Sequence, residues 1–400
     1  MKELKPGATR ALFLSTTAFA ISFALWGLVA ALAPTFAQEY GLSAKARSLL
    51  IAIPVLLGSL GRIPAGMLAD RFGGRKIISA LLLLSAIPAI GMGFSNSYAQ
   101  LLSLGVFLGM SGTSFAIGVS FASRWFTKEQ QGTALGIFGM GNIGQSVAVF
   151  GAPVLALLFA SWRPVFFIFA ALSIIWGVIF YLFARDAESR TKPKTLGENI
   201  QVLRHSPIAW VLSLFYFLTF GGFVAFSIYL PTLLRDMFKL SPADAGARTA
   251  GFVLLATLTR PVGGMLADRF GGSRVLIGVF ATVAALGVLM GCPWMPTFTI
   301  GALGAAAALG LGNGAVFKLV PEHFPKETGA VTGLVGAFGG LGGFFPPLVL
   351  GFIRDYTGGY AIGFVLLALS SILCLVINYL VFTRNEQRLA ATKTLDTQSA

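Results

Sequence analysis

Apolar residues in this chain gather into runs of about twenty, broken by short polar stretches that carry most of its charge. A run of that length crosses ~30 Å of hydrocarbon as an α-helix. Read in order, the runs predict twelve spans, at approximately 11–33, 46–69, 76–94, 98–122, 133–159, 163–184, 208–233, 246–267, 274–292, 297–320, 329–353 and 360–383, numbered here spans 1 to 12. The first run is too long, and lacks the small-residue cleavage pattern, to be a removed signal peptide. The expected fold is an all-α membrane protein embedded in the lipid bilayer.

Two of these apolar runs hold a permanent charge at mid-depth. Residues 59–76 read SLGRIPAGMLADRFGGRK and residues 257–274 read TLTRPVGGMLADRFGGSR, identical at 11 of 18 aligned positions, with Arg62 opposite Arg260. Each arginine precedes the aspartate that closes its run (Asp70, Asp268) by eight residues, which places it ~12 Å further into the membrane. A guanidinium there stays charged and costs roughly 3 kcal/mol on insertion scales. Two such costs at repeat-related positions point to a cavity built to hold an anion.

The repeat, at an offset of 198 residues, divides the chain into two pseudo-symmetric halves of six spans, 1–184 and 208–400 (the latter with a tail), joined by a polar linker at 185–207. Parallel repeats of this kind place substrate at the midplane between halves. A second echo supports it: span 5 opens with FTKEQQGTALG and span 11 with FPKETGAVTG. With both termini inside, nineteen of the 29 Lys and Arg residues fall in inner segments, seven in outer loops, and three (Arg62, Arg260, Lys318) within the membrane. That bias orients the chain with cytoplasmic termini in an inner (plasma) membrane. It also accounts for the net charge of +14, so nucleic acid is not a partner.

All fifteen acids lie in loops, tails or helix ends. The membrane interior is therefore positive without a balancing carboxylate, unusual for a carrier of cations. Cys292 and Cys374 have no zinc or haem spacing, and no cofactor is expected. Nor does a membrane-embedded nucleophile–base pair or metal cluster suggest an enzyme.

The first repeat copy spells Gly66-x-x-x-Asp70-Arg71-x-Gly73-x-Arg75-Lys76, and the second keeps Asp268 and Arg269 but has Ser273 where the first has Arg75. An aspartate at an inner helix end can pair with an arginine or a neighbouring helix N-terminus and lock that side shut. Asp70, Arg71, Asp268 and Arg269 are thus gating candidates. Spans 5 and 11 carry glycine stripes, including Gly139 and Gly141 in one and Gly336 and Gly339 in the other. Such stripes allow close helix packing or offer backbone to a ligand. Asn142, inside the first stripe, needs a partner for its amide, with an anion or Arg260 the candidates. Lys318 has two readings: snorkelling to the inner surface, or carrying a proton near the arginines.

The repeated arginines with the stretches GIFGMGNIG (136–144) and GAFGGLGGFFPP (336–347) resemble the nitrate/nitrite porter family of the major facilitator superfamily. The resemblance runs through essentially the whole chain. It implies the major facilitator fold and two arginines that hold nitrate or nitrite clamped between aromatic rings. By position those rings would be Phe115 in span 4 and Tyr216 and Phe220 in span 7, with Asn142 as the signature asparagine. Span 11 has glycines where some relatives have a second asparagine, so binding from that side would be backbone or steric. The chemistry agrees: nitrate is planar and monovalent, guanidinium presents a flat fork of donors, and rings above and below select a flat ion over sulfate. The resulting expectation is a monomeric secondary transporter of nitrate and nitrite working by alternating access. Proton-linked uptake and nitrate/nitrite exchange stay open, as does another small anion such as cyanate, formate or an organic carboxylate. A channel is the alternative of another class, which saturable flux with counterflow would exclude.

Overall fold

The computed structural model describes residues 4–187 and 196–383; the tail and eight residues of the linker lie outside it. Twelve helices are long and apolar enough to cross a membrane: Ala8–Glu39, Leu49–Phe72, Gly74–Gly93, Tyr98–Ser123, Gln131–Leu158, Arg163–Phe183, Pro207–Pro231, Asp244–Phe270, Gly272–Met290, Met295–His323, Thr328–Pro346 and Ala361–Phe382. These are spans 1 to 12. A short helix, Leu196–His205, precedes span 7. Span 1 runs six residues past its expected end at 33, to Glu39. Its added turn is held by tertiary contact, because Phe36 is fully buried with its ring 4.9 Å from that of Trp162 at the start of span 6.

Tight turns join spans 2 to 3 and 8 to 9, where Gly73 (φ 88) and Gly271 (φ 90) adopt a backbone that a side chain would strain. Within each group of six, span 3 packs on span 6 and span 9 on span 12. Across the groups, span 2 packs on span 11 and span 5 on span 8. Glycines set this cross-contact at repeat-related places. A Cβ on Gly66 or Gly329 would overlap the other's carbonyl, and Gly132 and Gly264 oppose each other likewise. One turn deeper, Gly136 lies against the backbone of Arg260, and Gly333 against that of Arg62. The halves therefore meet backbone to backbone, on the side that carries both chain ends. There the inner segments of spans 2 and 4 contact span 11, and Gln131–Gly139 of span 5 contacts spans 8 and 10. Beyond its mid-depth turn, span 5 (Ile143–Leu158) packs on spans 1 and 6 instead.

The repeat is broken in one respect. Span 2 is interrupted at Gly61, span 4 tightens to a 3₁₀ turn at Gly109–Thr113, and span 5 does so at Met140–Asn142. Spans 8, 10 and 11 run through the same depth as unbroken α-helix. A 3₁₀ stretch redirects carbonyls that an α-helix would bond internally, and the one in span 4 presents the Gly112 carbonyl to Arg62.

Gly264→Val should force spans 5 and 8 apart at a cost of about 1–3 kcal/mol, lowering the thermal midpoint in detergent. Gly278→Ala, where an added Cβ meets open space, should leave the midpoint unchanged or raise it. Equal midpoints for both variants would refute the glycine contact.

Candidate functional site

Arg62 is fully buried just after the Gly61 break. Its Nε donates to the Gly112 carbonyl at 3.1 Å, in the 3₁₀ turn of span 4, and its Nη1 donates to the Gly336 carbonyl of span 11 at 2.7 Å. Arg260, also buried, donates from Nη2 to the Tyr216 hydroxyl at 3.3 Å. Room for each guanidinium comes from a glycine on the facing half. A Cβ on Gly139 would sit 2.8 Å from Arg260 Nε, and one on Gly336 would sit 3.0 Å from Arg62 Cδ. Arg62 Nη2, Arg260 Nε and Nη1, and both amide atoms of Asn142 are buried with no hydrogen-bond partner among the described residues. An unmatched buried polar group costs about 1–3 kcal/mol, more when charged, so an acceptor beside the three free guanidinium nitrogens would be stabilising.

Aromatic rings enclose the same place. Phe115 and Tyr216 are parallel (4° apart) with centroids at 6.2 Å, and Tyr216 and Phe220 are parallel (6°) at 4.9 Å. Phe317 stands edge-on to Phe115 at 4.8 Å and to Tyr216 at 4.7 Å. The carbon Cζ of Arg62 lies 5.9 Å from the Phe115 and the Phe220 centroids alike, and that of Arg260 lies 5.8 Å from each. Both guanidinium centres are thus equidistant from two aromatic walls. Phe23 of span 1, 5.8 Å from Arg62 Cζ, completes the wall beside that arginine.

The arrangement brings together Arg62, Arg260, Phe115, Tyr216, Phe220, Gly139 and Gly336. Gly339 packs against the Tyr216 ring and so seats that ring. Gly141 is placed otherwise: it faces Phe19 and the Thr16 carbonyl of span 1, a packing contact within its own half.

Toward the face with the chain ends, two clamps join the halves. Asp70 accepts from the backbone amides of Gly329 (3.1 Å) and Ala330 (2.9 Å) at the start of span 11. Its own half supplies Ser120 Oγ at 2.7 Å and Arg124 Nη2 at 2.9 Å. Asp268 mirrors it at the start of span 5, accepting from the Gly132 and Thr133 amides at 2.8 and 2.7 Å and from Thr133 Oγ1 at 2.8 Å. Each carboxylate caps a helix N-terminus of the opposite half, where free amides and the helix dipole favour negative charge.

Lys318 departs from both readings of the sequence. It is buried, pairs with Asp268 at 3.0 Å, and donates to the carbonyl of Lys128 across the seam. Arg71 and Arg269 also differ from expectation. They are exposed and stack on Phe72 and Phe270, at 5.2 and 5.1 Å, outside the clamps. Arg124 takes the pairing role instead, and its place at the inner end of span 4 was the available signal. Phe317, Phe23, Ser120 and Thr133 had no signal among the chain's 36 phenylalanines and many hydroxyls.

At the opposite rim each half is pinned internally. Glu39 accepts from Trp162 Nε1 and pairs with Arg163 at 3.1 Å, tying spans 1 and 6. Asp236 accepts from the Tyr360 hydroxyl at 2.7 Å and pairs with Arg354 at 3.1 Å, tying the helices of spans 7 and 11, which run on to Phe238 and Thr357, to the start of span 12. Burial and the Asp236 carboxylate push the Tyr360 pKa up, so its hydroxyl remains a donor at physiological pH.

Twelve membrane-length helices in two repeated halves define the class, and a model described as Major Facilitator Superfamily matches residues 14–241 and 218–398. The chain belongs to that superfamily, whose members are transporters and not enzymes. The nitrite extrusion protein of Bacillus subtilis is 42% identical over 358 residues, 89% of this chain and 90% of that protein. A probable nitrate/nitrite transporter, NarK2, of Mycobacterium tuberculosis is 38% identical over 374 residues, 92% and 94% of the two chains. Within the superfamily the chain therefore belongs to the nitrate/nitrite transporters. The human organic anion transporter MFSD10 shares the fold, with a TM-score of 0.79 at 16% identity over 94% of this chain and 100% of that one.

Asp70→Asn should loosen the first clamp, because an amide replaces a charge-assisted acceptor of two backbone amides. Amide hydrogen exchange at residues 328–334 should rise roughly tenfold, the equivalent of ~1.4 kcal/mol. Unchanged exchange there would refute the clamp.

Proposed function

We propose that this protein carries nitrate and nitrite across the membrane by alternating access, holding the ion between Phe115 and Phe220 with Arg62 and Arg260 at its edge. The observation that carries this reading is the equal distance of both guanidinium centres from both rings, 5.8–5.9 Å. Guanidinium and nitrate are both trigonal and flat, so donors and acceptors can lie in one plane. Two permanent charges match a weakly basic anion that cannot be captured by protonation. Asn142 adds an amide to the oxygens, and Gly336 and Gly339 shape the opposite side sterically. Relatives named as a nitrite extrusion protein and as a probable nitrate/nitrite antiporter support the substrate class.

Alternation follows from the clamps. With the Asp70 and Asp268 contacts made, the seam on the side of the chain ends is shut. Breaking them lets each internally pinned half rock as a body. The Lys and Arg bias supports placing that face, and both termini, in the cytoplasm of a cell whose plasma (inner) membrane holds the monomer. Exchange is the coupling favoured by geometry: an unliganded pair of arginines repels closure, and a bound anion relieves the repulsion. A proton route through Lys318 gains no support from its pairing with Asp268.

Purified protein in liposomes should show saturable nitrate uptake that internal nitrite accelerates. Arg62→Lys and Arg260→Lys keep the charge but lose the fork, and each should weaken transport roughly 10- to 100-fold. Wild-type affinity in either variant would sink the clamp reading. Sulfate at tenfold excess should leave nitrate flux unchanged; strong inhibition would indicate an open basic cavity instead of a flat slot.

A further inference from the structure

The ion slot and the second clamp are served by adjacent residues of one helix. Phe317 stands edge-on to Phe115 of the first half and to Tyr216 of its own half, at 4.8 and 4.7 Å. The next residue, Lys318, pairs with Asp268 of its own half at 3.0 Å and donates to the Lys128 carbonyl of the first half. Each side chain therefore bridges the two halves, one at the slot and one at the seam. Span 10 runs unbroken through both, as the helix Met295–His323. A lysine stem spans the depth between them, since neighbours in a helix differ by only ~1.5 Å of rise.

The first half lacks this device. At the repeat offset of 198 its residues are Val119 and Ser120, neither ring nor cation. Ser120 still reaches Asp70, but the charge on that carboxylate is met by Arg124, four residues further along. Among the described residues, the cation paired with Asp268 is Lys318.

We propose that Phe317 and Lys318 form the link by which an anion in the slot sets the clamp at Asp268, and that this link exists in the second half only. An ion between Phe115 and Phe220 fixes the rings that Phe317 wedges. The position of Phe317 fixes the helix segment that carries Lys318, and Lys318 holds or releases the Asp268 contact to span 5. Coupling here passes through packed groups joined to an element with two states, clamp closed and clamp open. Lys318 acts through Asp268, as a positioning residue. The inference rests on the nitrate reading for its ligand, not for the clamp.

The test is hydrogen exchange of the full-length protein in nanodiscs, over residues 128–136 at the start of span 5, with and without saturating nitrate, alongside direct nitrate binding. In the wild type, nitrate should change exchange in this segment. Lys318→Met should raise exchange without ligand by roughly tenfold and make it indifferent to nitrate, while nitrate still binds within about threefold of the wild-type affinity. Lys318→Arg should restore the nitrate response. Phe317→Leu should lose the nitrate response even at nitrate concentrations that its own binding curve shows to be saturating. Exchange in Lys318→Met that matches the wild type in both conditions would overturn the proposal, as would loss of nitrate binding, which would place Lys318 in the slot. Should Lys318→Met not fold, Phe317→Leu decides: a retained nitrate response rejects the link. A wild type that fails to bind nitrate overturns the substrate reading before any variant is compared. A wild type that binds nitrate without a change at 128–136 overturns only the link.

Discussion

Two guanidinium groups in a low-dielectric seam, with no carboxylate beside them among the described residues, are the constraint around which this molecule is organised. Charge that cannot be shed must be solvated by something. Here Arg62 is partly solvated by two carbonyls, one from each half, and Arg260 by a tyrosine hydroxyl. Three of their nitrogens remain buried without a hydrogen-bond partner among the described residues. Glycine stripes on spans 5 and 11 follow from the same need, because larger residues at 139 and 336 would occupy the space of the guanidiniums. The 3₁₀ turn of span 4 has a related cause, for it turns the Gly112 carbonyl toward Arg62.

In the proposed cycle, repulsion between the two arginines makes closure conditional, and the clamps supply the opposing attraction. Each clamp places a buried or nearly buried carboxylate over the N-terminus of a helix from the other half. Such contacts are strong when made and costly when half made, so the seam favours two discrete states over a continuum. Pins at the opposite rim keep each half rigid, so that the change is taken up at the seam. The two clamps are built from different residues, Ser120 and Arg124 in one and Lys318 in the other. Repeat symmetry in the backbone thus coexists with asymmetry in how each gate is held.

The membrane class, the twelve spans, the repeat and the burial of two arginines were legible in the sequence by itself. Those features rest on composition and period, which the bilayer enforces locally on every segment. Helices were placed within a few residues except at the ends of spans 1 and 7, which run on to Glu39 and Phe238, the first prolonged by a contact with Trp162. Which polar groups meet was decided only by the tertiary structure. Asp70 chose Arg124 and the start of span 11, while its chain neighbour Arg71 turned to the surface, because a helix end presents adjacent residues about 100° apart and only one can face the seam. Lys318 was conspicuous as a charge, yet its partner lies fifty residues away on another helix, at a distance along the chain that no local pattern encodes. Phe317 and Gly112 were unremarkable in a chain rich in both residue types, and they acquired a role when two halves were folded against each other.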